Sequence, residues 1–307
     1  MVNVILVADI IQLMYKIPSM LLMILSIYVI IKEIKNKNVR FNKQFYIIIV
    51  CKLVNEIIFI ITTFIFYKLP RLGFFNNFFK NNNWTATLSY LLAAQQTTFM
   101  FLITLLTSVN RYIAVKYPVS YNLYFSKSKI IMMSLTFIIL STIIGLGNIF
   151  FNAEYKEFDL FGYFFPFFIS KNVIYYQFFY TIILFGIISI ATCIFNAMSI
   201  FALKKHNQID KKFKRELYYI IYSIFIFITL LVVEAFFVCR FIGVKYEIKL
   251  FVHIQNLLHF VAFDLSSVGD FYFLISLSIE LRQALKTILG CSKKLKNKVT
   301  LKIPYRR

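Results

Sequence analysis

Glycine, proline, cysteine, histidine and acid are all scarce in this chain. Eight Gly and five Pro in 307 residues are too few for a collagen-like or linker protein. Four Cys exclude a disulfide scaffold, and three His without partners at helical spacing provide no metal-ligand set. Charged residues make up only 15%, which disfavours a disordered chain or a coiled coil. No HExxH, GxSxG, P-loop or GxGxxG string occurs, so no enzymatic motif is present and no cofactor or metal is called for. No internal repeat is visible either.

Apolar surface is present in excess. Hydrophobic residues reach 60% and aromatics 19%, with 37 Phe and 20 Tyr. A soluble domain is about 45–50% apolar, and a chain of this length cannot hide so much apolar surface from water. The solvent implied is lipid. About 20 consecutive apolar residues cross the hydrocarbon as a helix. Seven such segments occur, at about 10–31, 45–67, 84–109, 130–151, 173–203, 217–240 and 250–279. They are about twice the length of a membrane-barrel strand and lack polar alternation, so they predict an all-α membrane protein, a seven-transmembrane helix bundle. The first residues lack a basic stretch before Lys16 and read as a short N-terminus leading into span one.

The net charge of +21 follows the same logic. Segments 32–44, 111–129, 204–216 and 280–307 hold 24 Lys and Arg, against 8 in segments 1–9, 68–83, 152–172 and 240–249. Positive residues concentrate on the cytoplasmic side. This places the N-terminus outside and the C-terminus in the cytosol of a plasma-membrane protein. It also accounts for the basicity through membrane lipid, with no nucleic-acid partner.

At the inner end of span three stands Asn110-Arg111-Tyr112, with Pro118 seven residues after Arg111. The string resembles the Asp/Glu-Arg-Tyr box of rhodopsin-like seven-helix receptors. With the following loop 117–129, and the end of span seven from Asp264 through Tyr272 to Arg282, the chain is similar to nematode serpentine chemoreceptors, particularly classes gamma and V. The resemblance implies a chemosensory G-protein-coupled receptor that passes binding of a small-molecule or peptide ligand to a heterotrimeric G protein. It also implies coupling or activation roles for Asn110, Arg111, Tyr112, Pro118, Asp270 and Tyr272. Departures from the pattern are clear: Asn110 replaces the acid, span six has no Pro, and Gly269-Asp270-Phe271-Tyr272 stands where Asn-Pro-x-x-Tyr is usual. The alternatives are an ion or solute transporter using the intramembrane acids, and a non-signalling partner protein.

Ionisable residues inside lipid are expensive and face partners or cavities. Lys52 and Glu56 form an available i,i+4 pair, and with an acid from span seven, Asp264 or Asp270, they are read as an intramembrane polar core, with Asp264 taken first. Arg111 needs an acid that Asn110 cannot supply, and Glu216 at the start of span six is the nearest in topology. Gln95, Gln96, Thr98, Gln177, Glu234 and His259 are ligand-pocket candidates. The aromatic segment 152–172 reads as a lid or as an interfacial stretch. Asn83-Trp84-Thr85 is the only sequon. Residues 280–291 predict an amphipathic helix ending at Cys291, a lipidation candidate, followed by a basic cytosolic tail, 292–307.

Overall fold

A computed structural model describes residues 2–36, 41–158, 163–205 and 211–290. Almost all of them are helical, because backbone polar groups in lipid must be satisfied within the segment. The long helices are α1 (Val2–Lys35), α2 (Lys43–Thr63), α3 (Asn83–Lys116), α4 (Lys127–Leu146), α5 (Phe185–Lys205), α6 (Lys211–Lys245) and α7 (Lys249–Asp264), with a short α8 (Ile279–Ile288). Six helices are each long and apolar enough to cross a membrane. The bent pair Val261–Leu277 and Ile279–Ile288 raises the number to seven among the described residues.

Among the described residues three helices carry a π-helical turn. One, Phe64–Lys68, extends α2 towards Leu69–Arg71. Another, Phe179–Leu184, joins Val173–Phe178 to α5. The third, Leu265–Gly269, continues α7 into Asp270–Leu277. Each such turn changes the rotational phase of the helix beyond it. Pro18, by contrast, does not break α1. The hydroxyl of the adjacent Ser19 donates to Tyr15 O at 2.6 Å, a local bond of the kind that eases a proline-perturbed turn.

Helix α3 runs through the middle of the bundle. In its apolar window 72% of residues are buried, against 22% for α4 and 28% for α1, which present Ile, Leu and Met outward as lipid-facing surface. Helix α4 lies close against α3 at Gly145, where an added Cβ would stand 2.6 Å from Leu91 O. Helix starts follow local chemistry: Asn42 accepts from Phe45 N at 3.2 Å, Ser126 from Lys129 N at 3.3 Å, and Ser278 from Leu281 N at 3.0 Å. The Ser278 cap coincides with a 93° bend that turns α8 across the end of the bundle. Leu281 and Leu285 of α8 pack into the core shared by α1, α2, α6 and the end of the seventh span. Cys291 and the 292–307 tail lie outside the described residues.

Segment 152–172 holds an antiparallel hairpin, β1 (Ala153–Phe158) and β2 (Tyr163–Phe168), with Ala153 opposite Phe168. Ala153, Tyr155, Pro166 and Phe168 are buried on one face, the period-2 signature of a strand pair. Two phenols fasten it: Tyr155 OH donates to Phe66 O at 2.8 Å, and Tyr90 OH donates to Pro166 O at 2.6 Å. Tyr90 also stacks on Phe168 with ring centroids 3.9 Å apart. The hairpin therefore lies over the ends of α2 and α3 opposite the end that carries Arg111. Burial outside the bundle is also why Tyr155 ionises with more difficulty than a free phenol: desolvation raises it, and neighbouring Tyr67 and Tyr90 add to the effect.

Candidate functional site

Arg111 is the largest fully buried side chain among the described residues, at 0% exposure. A charge removed from water this completely must be paired and hydrogen-bonded. Its Nη1 donates to Glu216 Oε2 on α6 at 2.9 Å. Nε donates to Asn110 Oδ1 at 3.1 Å, Nη2 also bonds that oxygen, and Nη2 donates to Tyr121 OH at 3.3 Å. The guanidinium lies 4.6 Å from the Phe45 ring centroid on α2 and 5.0 Å from that of Tyr219 on α6, both within cation–π range. One cation thus ties α3 to α2, α6 and the short helix Tyr121–Tyr124. Asn110 cannot supply charge, but its amide oxygen still takes part in holding the guanidinium.

One turn along α3, Ser108 Oγ is 3.0 Å from Ser223 Oγ of α6, which donates to Asn196 Oδ1 of α5 at 2.8 Å. Tyr112 faces α5, with its ring 5.8 Å from Phe195, and receives a hydrogen bond from Lys116 at 2.5 Å. Pro118 is exposed in the turn that follows α3.

A second charged group occupies mid-bundle depth. Lys52 Nζ contacts Asp270 Oδ2 and stands 3.6 Å from Glu56 Oε1, with all three side chains at 3% exposure or less. The same ammonium lies 5.5 Å from the Tyr222 ring of α6. Asp270 therefore belongs to this core and not to the Arg111 end. Asp264 lies apart from it, which differs from the sequence expectation. Its Oδ1 pairs with Lys16 Nζ at 2.5 Å, and its Oδ2 accepts from Gln12 Nε2 at 2.8 Å and from Tyr15 OH. The physical reason is spacing: residues six apart on a helix stand about 120° apart around its axis, so Asp264 faces α1 while Asp270, beyond the π-helical turn, faces α2. Tyr272 also faces α1, with its hydroxyl 3.1 Å from Ser19 Oγ.

Towards the hairpin end the α1 network continues. Asp9 Oδ1 is 3.1 Å from Lys68 Nζ, and Asp9 Oδ2 is 3.1 Å from Arg71 Nη1. Lys68 Nζ also donates to Gln12 Oε1 at 2.5 Å. Gln12 thus links the Asp9 group to the Asp264 group. The intramembrane acids do not form a single column of free carboxylates, as an ion path would need; each of these groups holds its own base.

The model of the Srg family of chemoreceptors matches residues 9–285, from the start of this network to the middle of α8. The chain belongs to that family. No curated protein matches it. The match makes it a receptor of chemosensory type, and every charged group described above lies inside the matched stretch.

In this Srg chemoreceptor the six ligand-pocket candidates do not converge. Gln95 reaches Ser141 of α4 at 3.5 Å, away from the centre. Gln96 faces α2, accepting from Thr62 Oγ1 at 3.0 Å, and Thr98 is buried with its hydroxyl on Ala94 O at 2.7 Å. Gln177 is half-buried before the π-helical turn that leads into α5. Glu234 accepts from Ser189 Oγ at 2.8 Å, on the α5 side. His259 rests between the rings of Phe236 and Phe263, each 5.3 Å away. Asn83 is exposed in the first turn of α3, but the sequon's Thr85 is buried and donates to Asn82 O at 2.6 Å.

Sequence reasoning passed over Asp9, Gln12, Tyr15, Lys68 and Arg71, and the ring pair Phe45 and Tyr219. One signal was available. Lys16 is a base inside span one, and a base at that depth requires an acid on another helix.

Proposed function

We propose that this Srg chemoreceptor spans the plasma membrane with its hairpin end outside and its Arg111 end in the cytosol. There it couples ligand binding to a heterotrimeric G protein. The conformation described is the closed one. The observation that carries this reading is the Arg111–Glu216 pair, a fully buried cation joining α3 to α6 at the end where Lys and Arg concentrate. Opening a cytosolic cleft needs α6 to move away from α3, and that movement breaks this pair and slides Tyr219 off the guanidinium. Arg111 then faces the cleft. The Ser108–Ser223–Asn196 chain is uncoupled in the same step, since it joins the same helices one turn further in.

The ligand acts from the hairpin end. The hairpin is held there by two phenol-to-carbonyl bonds and ring stacking, contacts that a ligand can exchange for its own. Among the sequence candidates, His259 meets the Phe236 ring of α6 and Gln96 meets Thr62 of α2, so both stand between helices. The test is basal G-protein signalling of Glu216→Gln at equal surface expression. A charge-assisted bond is worth about 1.5–3 kcal/mol, so its loss raises the open population on the order of tenfold or more. Unchanged basal signalling contradicts the proposal.

A further inference from the structure

Two carboxylates share one ammonium at mid-bundle depth. Lys52 is in contact with Asp270, while Glu56 is 3.6 Å away and 2% exposed. Neither oxygen of Glu56 accepts a hydrogen bond from any described residue. Glu56 borders a small cavity of about 10 Å³, space for about one water, walled also by Asn55, Gln96, Thr97, Ser266 and Ser267. Ser266 and Ser267 already donate their hydroxyl protons to Phe263 O, at 3.3 and 2.7 Å. Their remaining capacity towards the cavity is acceptor lone pairs, and a carboxylate cannot use those. A carboxylic acid can.

We propose that Glu56 is a proton-binding site, neutral in the closed receptor, with its acid O–H directed into this serine-lined cavity. An ionised carboxylate there would accept a hydrogen bond from none of the described residues in this conformation and would compete with Asp270 for a single cation, and each of these is strongly unfavourable. A proton taken from solvent removes both problems. The titratable groups facing Glu56 among the described residues are Lys52 on its own helix, Asp270 after the third π-helical turn, and Tyr222 of α6. Helix α3 contributes the neutral Gln96 and Thr97 to the cavity. Lys52 already lies against Asp270, so the species that Glu56 exchanges with solvent is the proton. Movement of α6 withdraws Tyr222 from Lys52 and admits water, and the proton then returns to solvent. The closed state therefore binds one more proton than the open state, and acid favours the closed state.

The direct test is infrared spectroscopy of the full receptor in lipid nanodiscs, which requires no G protein and stands apart from the signalling proposal. At neutral pH the wild-type chain shows a protonated-carboxyl C=O band that Glu56→Gln abolishes. Asp270→Asn abolishes it as well, because Lys52 is then free to pair with an ionised Glu56. Should one variant not reach the folded state, the other decides alone. Absence of the band at neutral pH, or its survival in a folded variant, overturns the proposal. A signalling arm gives the sign: basal activity falls as pH falls, by at most about tenfold per pH unit for a single proton, and Glu56→Gln flattens the slope. A rise with acid overturns the coupling.

Discussion

The two ends of the bundle are held in different ways. At the hairpin end charges are networked: Asp9 meets both Lys68 and Arg71, Gln12 bridges Lys68 to Asp264, and Asp264 also holds Lys16 and Tyr15. At the other end, among the described residues, a single ion pair, Arg111–Glu216, crosses from α3 to α6, with neutral partners and two aromatic rings around it. Networked groups keep a partner when one contact breaks, whereas a single pair is either made or broken. The first arrangement suits a fixed frame formed by α1, α2 and α7, and the second suits a helix that must leave. Lys52 belongs with the frame in depth and burial, yet it touches α6 through Tyr222, so it stands between the two regimes.

The largest expected effect comes from breaking the frame at Lys52. Lys52→Met strands Asp270 and is expected to cost about 3–5 kcal/mol, enough to remove most receptor from the cell surface. Adding Asp270→Asn recovers a large part of the loss, and adding Glu56→Gln recovers little, as surface delivery of the three variants will report. Asp9→Asn ranks next. It removes the carboxylate that pairs with Lys68 and Arg71, and an expected cost of about 3 kcal/mol should lower the thermal midpoint of detergent-purified receptor.

Variants at the single-pair end change signalling more than stability. Asn110→Asp provides the missing charge beside Arg111, strengthens the closed state by about 1 kcal/mol, and lowers basal signalling by several-fold. Its readout is constitutive activity at matched expression. The smallest effect is expected at the hairpin. Tyr90→Phe loses the bond to Pro166 O but keeps the stacking on Phe168, for about 1 kcal/mol, seen as faster proteolysis of residues 153–168 with no change in basal signalling.

Much of the fold and of the Arg111 site was readable in the sequence, and the unread part has a common cause. Apolar runs gave the helices because lipid leaves the backbone no other choice, and Glu216 was found as the partner of Arg111 by topological proximity alone. Helix rotation was not readable. A helix apolar on every side carries no face information, and each π-helical turn rotates the residues beyond it by on the order of a quarter turn. Asp264 and Asp270 stand six residues apart, about 120° around a helix axis, so they could not share a partner; which of them meets Lys16 and which meets Lys52 depends on the rotation of the whole helix. The strand pair in segment 152–172 was half hidden: in β2 aromatics fill both buried and outward positions and mask the alternation, whereas β1 alternates Ala153-Glu154-Tyr155-Lys156 and only its length of six residues makes it weak as a signal. The clamp of Phe45 and Tyr219 on Arg111 joins three helices, and no spacing within one helix encodes it.

The central claim is that the Arg111–Glu216 pair keeps α6 against α3. Its most direct test is a distance distribution between spin labels at Lys116 of α3 and Tyr218 of α6, both exposed, in a receptor whose other reactive cysteines have been replaced. The ligand-free receptor should show one short distance. Glu216→Gln should add a longer component, and Asn110→Asp should suppress it. Identical distributions in the receptor with and without Glu216 would contradict the claim.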